Sequence, residues 1–363
     1  MYSFYLAGII NMKRVWLSIG LVFVCCAGSF RHSYVLQPPS APTIALSDSA
    51  EIRWKMKLKA YPNNCIALND TILLISDSNG GVTTIDLRTG VRHDRYWRPF
   101  KRPVRLLGFK GNIVFLSSCE TKEVLAWDLK NAHKIWKKTF AEYFSEMVVH
   151  QTALYFKSDS IIAKVNALNG NVILSQNLHE PLARGFIYFN DHLFVFAAKG
   201  ILHSFDLNLE EKNRSMLEIN HAEEMVQFGE RLLFYNARGN VRVFSLQSKA
   251  VCALDFDDPI YASPLIVDDH VFVPFARGRI DARSLENDSL IWRFSHKSLL
   301  NIAPLLIKEN IIIPFARGQV VVINLHDGRE RQRFNFDKSI DFAALTPRGL
   351  LLGHRRELYL VSF

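Results

Sequence analysis

The sequence predicts an all-β, eight-bladed β-propeller with four antiparallel strands in each blade. One pattern recurs eight times along the chain: a turn residue, an apolar run, a hairpin, a second apolar run ending in Asp, Asn or Ser, and a polar or aromatic strand. Successive repeats are about forty residues apart, a period that is typical of propellers when no helical pattern accompanies it. The segments "ASPLIVDDHVFVPFARGRIDARSLENDSLIWRF" and "APLLIKENIIIPFARGQVVVINLHDGRERQRF" show the four strands of a blade in order.

The second strand of each repeat is almost continuously apolar, as in "TILLIS" from Thr71 and "NIIIPF" from Asn310. Strands covered on both faces by neighbouring sheets have this composition, whereas half-exposed strands alternate. Runs of about six residues bounded by Gly, Asn and Asp favour strands over buried helices. We therefore expect helix content close to nil.

The two ends of the repeat region are complementary. Residues 51–58, "EIRWKMKL", look like the outermost strand of a blade, yet no inner strands precede them. Residues 357–363, "ELYLVSF", form the third strand of the eighth repeat and no fourth strand follows. Pairing between these segments would complete the last blade and leave only short edges exposed.

Three regions are predicted: a secretory or lipoprotein-like signal over 1–27, an extended tether over 28–50, and the propeller over 51–363. From Met12 the chain has two positive charges, an apolar stretch and small residues, which is the layout of a secretory signal. A retained membrane anchor is the alternative, although the apolar stretch is short for a membrane-spanning helix. Cys25 and Cys26 end this stretch and are candidate lipidation sites.

Five cations occupy one repeat position, in the hairpin between the second and third strands of blades four to eight. They are Lys199, Arg238, Arg277, Arg317 and Arg355. Equivalent positions fall on one face of a ring, so we expect an arc of positive charge suited to an acidic partner surface. Ordinary solvated hairpins are the alternative interpretation.

A second basic segment, "RHDRYWRPFKRPVR", interleaves cations with aromatic residues between blades one and two. Arg95, Trp97 and Arg98 are candidate partner-binding residues, because Arg and Trp are common interface anchors. Packing of Trp97 between blades is the alternative. The net charge of +9 suits acidic proteins, anionic lipids or polyanions. Predicted export argues against nucleic acid as the partner.

The turn and strand pattern in "IDLRTGVRHDRYW" and "AWDLKNAHKIW" resembles the pyrroloquinoline-quinone-type, or quinoprotein-like, propeller repeat over residues 51–363. The eight repeats, the short loops and the lipoprotein-like leader further resemble the BamB family, the lipoprotein subunits of the outer-membrane β-barrel assembly machinery. This resemblance implies a non-enzymatic periplasmic scaffold, lipid-anchored at the outer membrane, that binds the barrel subunit of the machinery through loops on one face.

Quinone-dependent dehydrogenases share the repeat, so a catalytic alternative is weighed. Those enzymes hold a quinone and calcium with acidic and amide groups in long insertions, and the nearly constant repeat length here leaves no room for them. Asp86, Asp128 and Asp206 could suggest calcium ligands or a base, but Asn or Ser replaces them in other repeats, which favours turn capping. We predict no catalytic, cofactor-binding or metal site. An exported propeller that binds a glycan or lipid is the third alternative.

Overall fold

The computed structural model describes residues 50–93, 97–118 and 120–362, and in this part of the chain it contains 31 β-strands and no helix. No helix in the described ranges could therefore cross a membrane. The strands are β1 (Glu51–Lys57), β2 (Pro62–Ala67), β3 (Ile72–Asp77), β4 (Val82–Asp86), β5 (Val104–Lys110), β6 (Ile113–Ser118), β7 (Glu123–Asp128), β8 (His133–Thr139), β9 (Glu146–His150), β10 (Ala153–Lys157), β11 (Ile161–Asn166), β12 (Val172–Asn177), β13 (Ile187–Phe189), β14 (His192–Ala197), β15 (Ile201–Asp206) and β16 (Glu211–Met216). The later strands are β17 (Glu224–Phe228), β18 (Arg231–Tyr235), β19 (Asn240–Ser245), β20 (Val251–Asp255), β21 (Leu265–Val267), β22 (His270–Phe275), β23 (Arg279–Ser284), β24 (Leu290–Ser295), β25 (Leu305–Ile307), β26 (Asn310–Pro314), β27 (Gln319–Asn324), β28 (Glu330–Asn335), β29 (Phe342–Thr346), β30 (Gly349–His354) and β31 (Glu357–Ser362).

These strands form eight antiparallel sheets, the blades of a β-propeller, which confirms the predicted fold class. Seven sheets have four strands, for example β25, β26, β27 and β28 from the centre of the ring outwards in blade seven. Blade one has three strands, β2, β3 and β4. Its outer position is marked by two isolated bridges, from Arg92 to Ile85 and from Trp97 to Val82.

The ring closes through its two ends, as the sequence predicts. Strand β1 pairs antiparallel with β31, and the register runs from Glu51 opposite Ser362 to Lys57 opposite Glu357. The Leu58 amide then donates to the carbonyl of Arg356 at 2.7 Å. Blade eight is thus β1, β31, β30 and β29, and its outer strand comes from the other end of the repeat region.

The hydrophobic core lies between neighbouring blades. One cluster joins Ile312 and Val322 of blade seven to Leu350 and Leu352 of blade eight, and all four side chains are buried. The nearly continuous apolar runs of the second strands are buried on both faces, as predicted. Each blade therefore depends on both neighbours to remove its apolar surface from water.

Three tryptophans of outer strands lock one blade to the next. The indole N–H groups of Trp54, Trp136 and Trp292 donate to the carbonyls of Leu87, Ala167 and Leu325 at 2.8, 2.8 and 3.0 Å. A glycine in each receiving turn lies against the indole ring, and at Gly328 an added Cβ would come within 2.5 Å of it. Because Trp54 lies on β1, one of these locks joins blade eight to blade one.

The last polar residue of the third strand caps the turn that follows in blades one to seven. Asp128 is typical: its carboxylate accepts from the backbone amides of Lys130 and Asn131 at 2.8 and 3.0 Å. The same kind of bond is made by Asp86, Asn166, Asp206, Ser245, Ser284 and Asn324. In blade eight the hydroxyl of Ser362 accepts from Arg53 of β1 at 2.8 Å. These bonds confirm the turn-capping interpretation.

Candidate protein-docking face

The hairpins between second and third strands and the links between blades lie on one side of the ring, here called the hairpin face. It comprises hairpins 198–200, 236–239, 276–278, 315–318 and 355–356 together with the links that lead into the next blade. Close packing shows the shared side: a Cβ added at Gly318 would lie 2.2 Å from the carbonyl oxygen of Phe336, in the link after blade seven. With φ near +94° as well, this hairpin requires glycine.

Backbone hydrogen bonds tie the hairpins of blades four, six and seven to the links on either side. The amide of Ala276 donates to Pro259 in the preceding link at 3.0 Å, and its carbonyl accepts from Leu300 in the following link at 3.1 Å. The amide of Ala316 likewise donates to Leu299 at 3.4 Å, and its carbonyl accepts from Ile340 at 3.1 Å. Because links and hairpins are bonded alternately, the backbone of this part of the face is held from both sides.

The five cations of the predicted arc all lie in the hairpins of this face. Each is exposed, and none makes a side-chain ion pair or hydrogen bond within the described ranges. The residues are Lys199, Arg238, Arg277, Arg317 and Arg355. Many other cations of the described chain are neutralised locally, such as Arg279 by Asp258 at 2.5 Å. The arc therefore presents positive charge that remains available to a partner.

The second basic segment is used mainly within the chain. Trp97 is half-buried and its ring lies 4.2 Å from that of Trp127 in blade two, which is packing between blades. The guanidinium of Arg98 donates to the carbonyls of Asn79 at 2.7 Å and Lys101 at 3.4 Å. Arg95 lies outside the described residues. Arg98 thus lies at the first hairpin, in blade one, whereas the arc occupies blades four to eight.

Two exposed apolar side chains beside the hairpin of blade six were missed by the sequence reasoning. Tyr261 is 47% exposed and Leu299 is 63% exposed, in the links before and after blade six. They flank the hairpin that carries Arg277. The sequence did contain a signal for both side chains. Tyr261 follows an acidic link segment and Leu299 follows a basic one, and each precedes a proline in the two clearest repeats. A face that combines apolar and Arg side chains has the composition of a protein interface.

A compact ionic cluster fastens the closing strand at the edge of this face. The carboxylate of Glu357 accepts from Lys338 and from the hydroxyl of Tyr359 at 2.8 Å, and it lies 3.1 Å from the ammonium of Lys55 on β1. Together these donors lower the pKa of Glu357 to about 2, with Lys338 the largest cause. The carboxylate thus links β31, β1 and the link before blade eight.

This cluster predicts a specific acid sensitivity. Because the folded-state pKa of Glu357 is about 2, below the ordinary 4.5, its contribution to stability is present above pH 4.5 and is lost as pH falls towards 2. Glu357→Gln should lower the melting temperature at pH 7, and its difference from wild type should shrink through that window. Thermal unfolding measured from pH 7 to pH 2.5 checks this. Glu51→Gln on β1 is the control, and a difference that stays constant with pH would contradict the assignment.

Cys65 and Asp281 are buried titratable groups of the described ranges. No group of three or more His, Cys, Asp and Glu side chains in them is arranged to hold a metal ion. Burial raises the pKa of the Cys65 thiol to about 12, which keeps it protonated and unreactive. The buried Asp281 is bound by Arg293 at 2.8 Å and lies 3.4 Å from Arg279. Cys25 and Cys26 lie outside the described residues.

Comparison with known proteins finds similarity in three dimensions. No family model matches the sequence, and no curated protein matches it. The solved structure of BamB from Moraxella catarrhalis superposes with a TM-score of 0.69 at 11% identity, covering 87% of this chain and 100% of that one. The computationally designed protein Ika8 superposes equally well, with a TM-score of 0.69 at 12% identity, covering 89% of this chain and 100% of that one. The chain therefore has the eight-bladed propeller fold that a natural BamB and a designed protein share.

Proposed function

We propose that this protein is a non-enzymatic scaffold of the cell envelope that binds a protein partner through its hairpin face, in the assembly of outer-membrane β-barrel proteins. The observation that carries the proposal is the arc of five exposed cations on one face, which make no ion pair or side-chain hydrogen bond with the described part of the chain. The similarity to the BamB structure supports the choice of process.

The physics of the hairpin face favours protein binding. Exposed cations that share one side of the ring produce a positive potential, which speeds encounter with an acidic surface and orients it. Arg277 and Arg317 occupy adjacent blades, and their planar guanidinium groups can form paired hydrogen bonds with carboxylates. Tyr261 and Leu299 add apolar contact area beside them. In this proposal the partner is an acidic loop of the barrel subunit of the assembly machinery.

The proposal includes no catalytic step, cofactor or metal. Asp86, Asp128 and Asp206 were the residues weighed as calcium ligands or a base, and the capping hydrogen bonds that their carboxylates accept support a structural role for them. In the same proposal the chain is exported and attached to the outer membrane through a lipid on Cys25 or Cys26. Retention of the leader as an anchor is the alternative form of attachment.

Charge reversal on the arc tests the docking. Arg277→Glu combined with Arg317→Glu should weaken capture of the barrel subunit by at least about a hundredfold, since two attractive contacts become repulsive at interface positions. The measurement is co-purification from detergent-solubilised envelopes, followed by titration of the purified partners. Both side chains are exposed, so circular dichroism and melting temperature should not change.

The matched control reverses two cations on the opposite side of the ring. Lys130→Glu with Arg329→Glu makes the same change in net charge in the turns after third strands, where Arg329 is 86% exposed. Capture should stay within about twofold of wild type, because such distant exposed charges interact weakly. Equal loss in both double variants would show a net-charge effect, and unchanged capture in the arc variant would contradict docking through this face. A separate measurement tests the absence of catalysis. Dye reduction by the purified chain after addition of pyrroloquinoline quinone and calcium would contradict it.

A further inference from the structure

One link between blades begins with a titratable ring where other links begin with an apolar side chain. In seven blades of the described ranges, the first residue after the outer strand donates its backbone amide to the hairpin of the same blade. Six of these residues are Leu or Phe, namely Leu58, Phe140, Leu178, Leu217, Phe256 and Phe336. The seventh is His296, whose amide donates to Gly278 of blade six at 3.0 Å. A histidine thus stands where the fold otherwise uses an apolar side chain.

The imidazole of His296 fills the place of an apolar ring between blades six and seven. It stacks on Phe315, in the hairpin of blade seven, with the ring centroids 4.1 Å apart. Phe256, at the same position one blade earlier, contacts Phe275 with centroids 5.2 Å apart. The contact of link 296–300 with hairpin 276–278 and with Phe315 is here called the His296 joint.

A hydrogen bond selects the neutral form of this ring. The backbone amide of Ser298 donates to Nδ1 of His296 at 3.1 Å, and Ser298 is buried. A ring nitrogen that accepts a hydrogen bond carries no proton, so this bond is lost when Nδ1 becomes protonated. Two N–H groups would then face each other, and the amide of a buried residue would lose its acceptor.

The surroundings of the ring also oppose its protonation. Burial, the largest cause, and the guanidinium of Arg333 lower the pKa of His296 from its ordinary 6.5. Glu330 and a hydrogen bond with Gln319 act in the opposite direction without reversing the shift. Glu330 is bound to Arg333 at 2.6 Å, so these two charges of β28 largely compensate each other. An imidazolium formed here would lie against the apolar ring of Phe315, which weakens the joint.

The charged groups of blade six beside the joint are engaged with one another. Arg279 is opposite Ser295, the last residue of β24. Its guanidinium lies 2.5 Å from the carboxylate of Asp258 and 3.4 Å from that of the buried Asp281. Lys297 follows the ring in the link and is exposed. Of the groups around the joint, the imidazole is the type that ordinarily changes charge between about pH 5 and 8.

We propose that His296 makes this joint an acid-sensitive switch, in which protonation of the ring releases the link from blades six and seven. The released segment carries the exposed Leu299, and the hairpins on either side of it carry Arg277 and Arg317. Acid therefore alters the hairpin face between these two cations. Because the folded-state pKa of His296 lies below 6.5, the joint is complete above pH 6.5 and is lost as pH falls through that lower value.

Hydrogen exchange of the purified chain at pH 7.5 and pH 5.0 tests the switch without any partner. After correction for the intrinsic pH dependence of exchange, the amides of His296 and Leu300 should lose protection at least about threefold at pH 5.0. Phe336 and Ile340 make the same amide bonds at the next junction and serve as an internal reference. Their protection should change less than about twofold.

His296→Phe introduces the residue that Phe256 and Phe336 provide in the neighbouring links. This variant should keep the protection of Leu300 within about twofold between the two pH values, because phenylalanine cannot gain a charge. His296→Gln is a second variant, which retains a side-chain acceptor for the amide of Ser298 but does not titrate. The same result is expected for it.

The exposed His270, the first residue of β22 in blade six, provides the matched control. His270→Gln should leave the acid response of Leu300 within about twofold of wild type. Protection that does not change with pH in the unmodified chain would overturn the proposal. So would a response that persists in both His296 variants, or one that disappears in His270→Gln. Since no partner is present, these results are independent of docking through the hairpin face.

Discussion

Trp54→Ala should lower the free energy of unfolding by about 3–5 kcal/mol, the usual cost of removing a large buried aromatic side chain. Trp54 is the buried residue of β1, and its indole N–H donates to Leu87 of blade one at 2.8 Å. The ring of Trp54 also packs against Gly90 in the same turn. The substitution therefore weakens both the seal of blade eight and its attachment to blade one. We expect β1 to open before the other strands unfold.

Trp136→Ala is the matched control for this prediction. Trp136 makes the same bond, to Ala167 at 2.8 Å, but it lies within the ring and not on the closing strand. Chemical denaturation should give similar losses of stability for the two variants. Hydrogen exchange should separate them, because only Trp54→Ala should expose the amides of β31. Equal exchange in both variants would show that the closing strand is no weaker than an internal one.

Glu146→Ala should also cost about 3–5 kcal/mol, because it leaves a buried ammonium without its counter-charge. The side chain of Lys157 is only 2% exposed, and its ammonium lies 3.3 Å from the carboxylate of Glu146. The same carboxylate accepts from the amide of Gly185 at 3.0 Å, which fastens the link before blade four to blade three. One substitution thus removes an ion pair and a connection between blades. Equilibrium denaturation measures the loss.

A second substitution distinguishes the buried charge from simple loss of packing. Lys157→Met in the Glu146→Ala background should recover most of the stability, since an apolar side chain of similar length needs no counter-charge. Glu210→Ala is the surface control. Its carboxylate is exposed and lies 2.7 Å from Lys212, so its loss should cost less than about 1 kcal/mol. Failure of Lys157→Met to restore stability would assign the effect of Glu146 to packing or to Gly185.

The repeat was readable from the sequence because the same physical requirement recurs in each blade. A turn after the third strand needs an acceptor for its backbone amides, and residues such as Asp128 and Asn324 provide it wherever the pattern places them. Pairing of β1 with β31 followed from counting strands in the repeats. The positions of the arc cations followed as well, since Arg277 and Arg317 precede the hairpin glycines of equivalent strands.

Other features depend on contacts between residues far apart in sequence, which a repeat pattern does not specify. The guanidinium of Arg98 is bound to backbone carbonyls of the first hairpin and the following link, contacts that the local composition does not reveal. Lys55 and Glu357 meet only because the ring closes. Exposure of Leu174 was equally hidden, since its repeat position is buried wherever a tryptophan occupies it.

The direction of β1 places the beginning of the described chain away from the cationic hairpins. Because Glu51 is opposite Ser362, the chain enters the ring at the side remote from the hairpins and runs towards them. Glu51 and the cationic hairpins thus lie on opposite sides of the ring, so a partner bound to the hairpins would leave the beginning of the described chain uncovered.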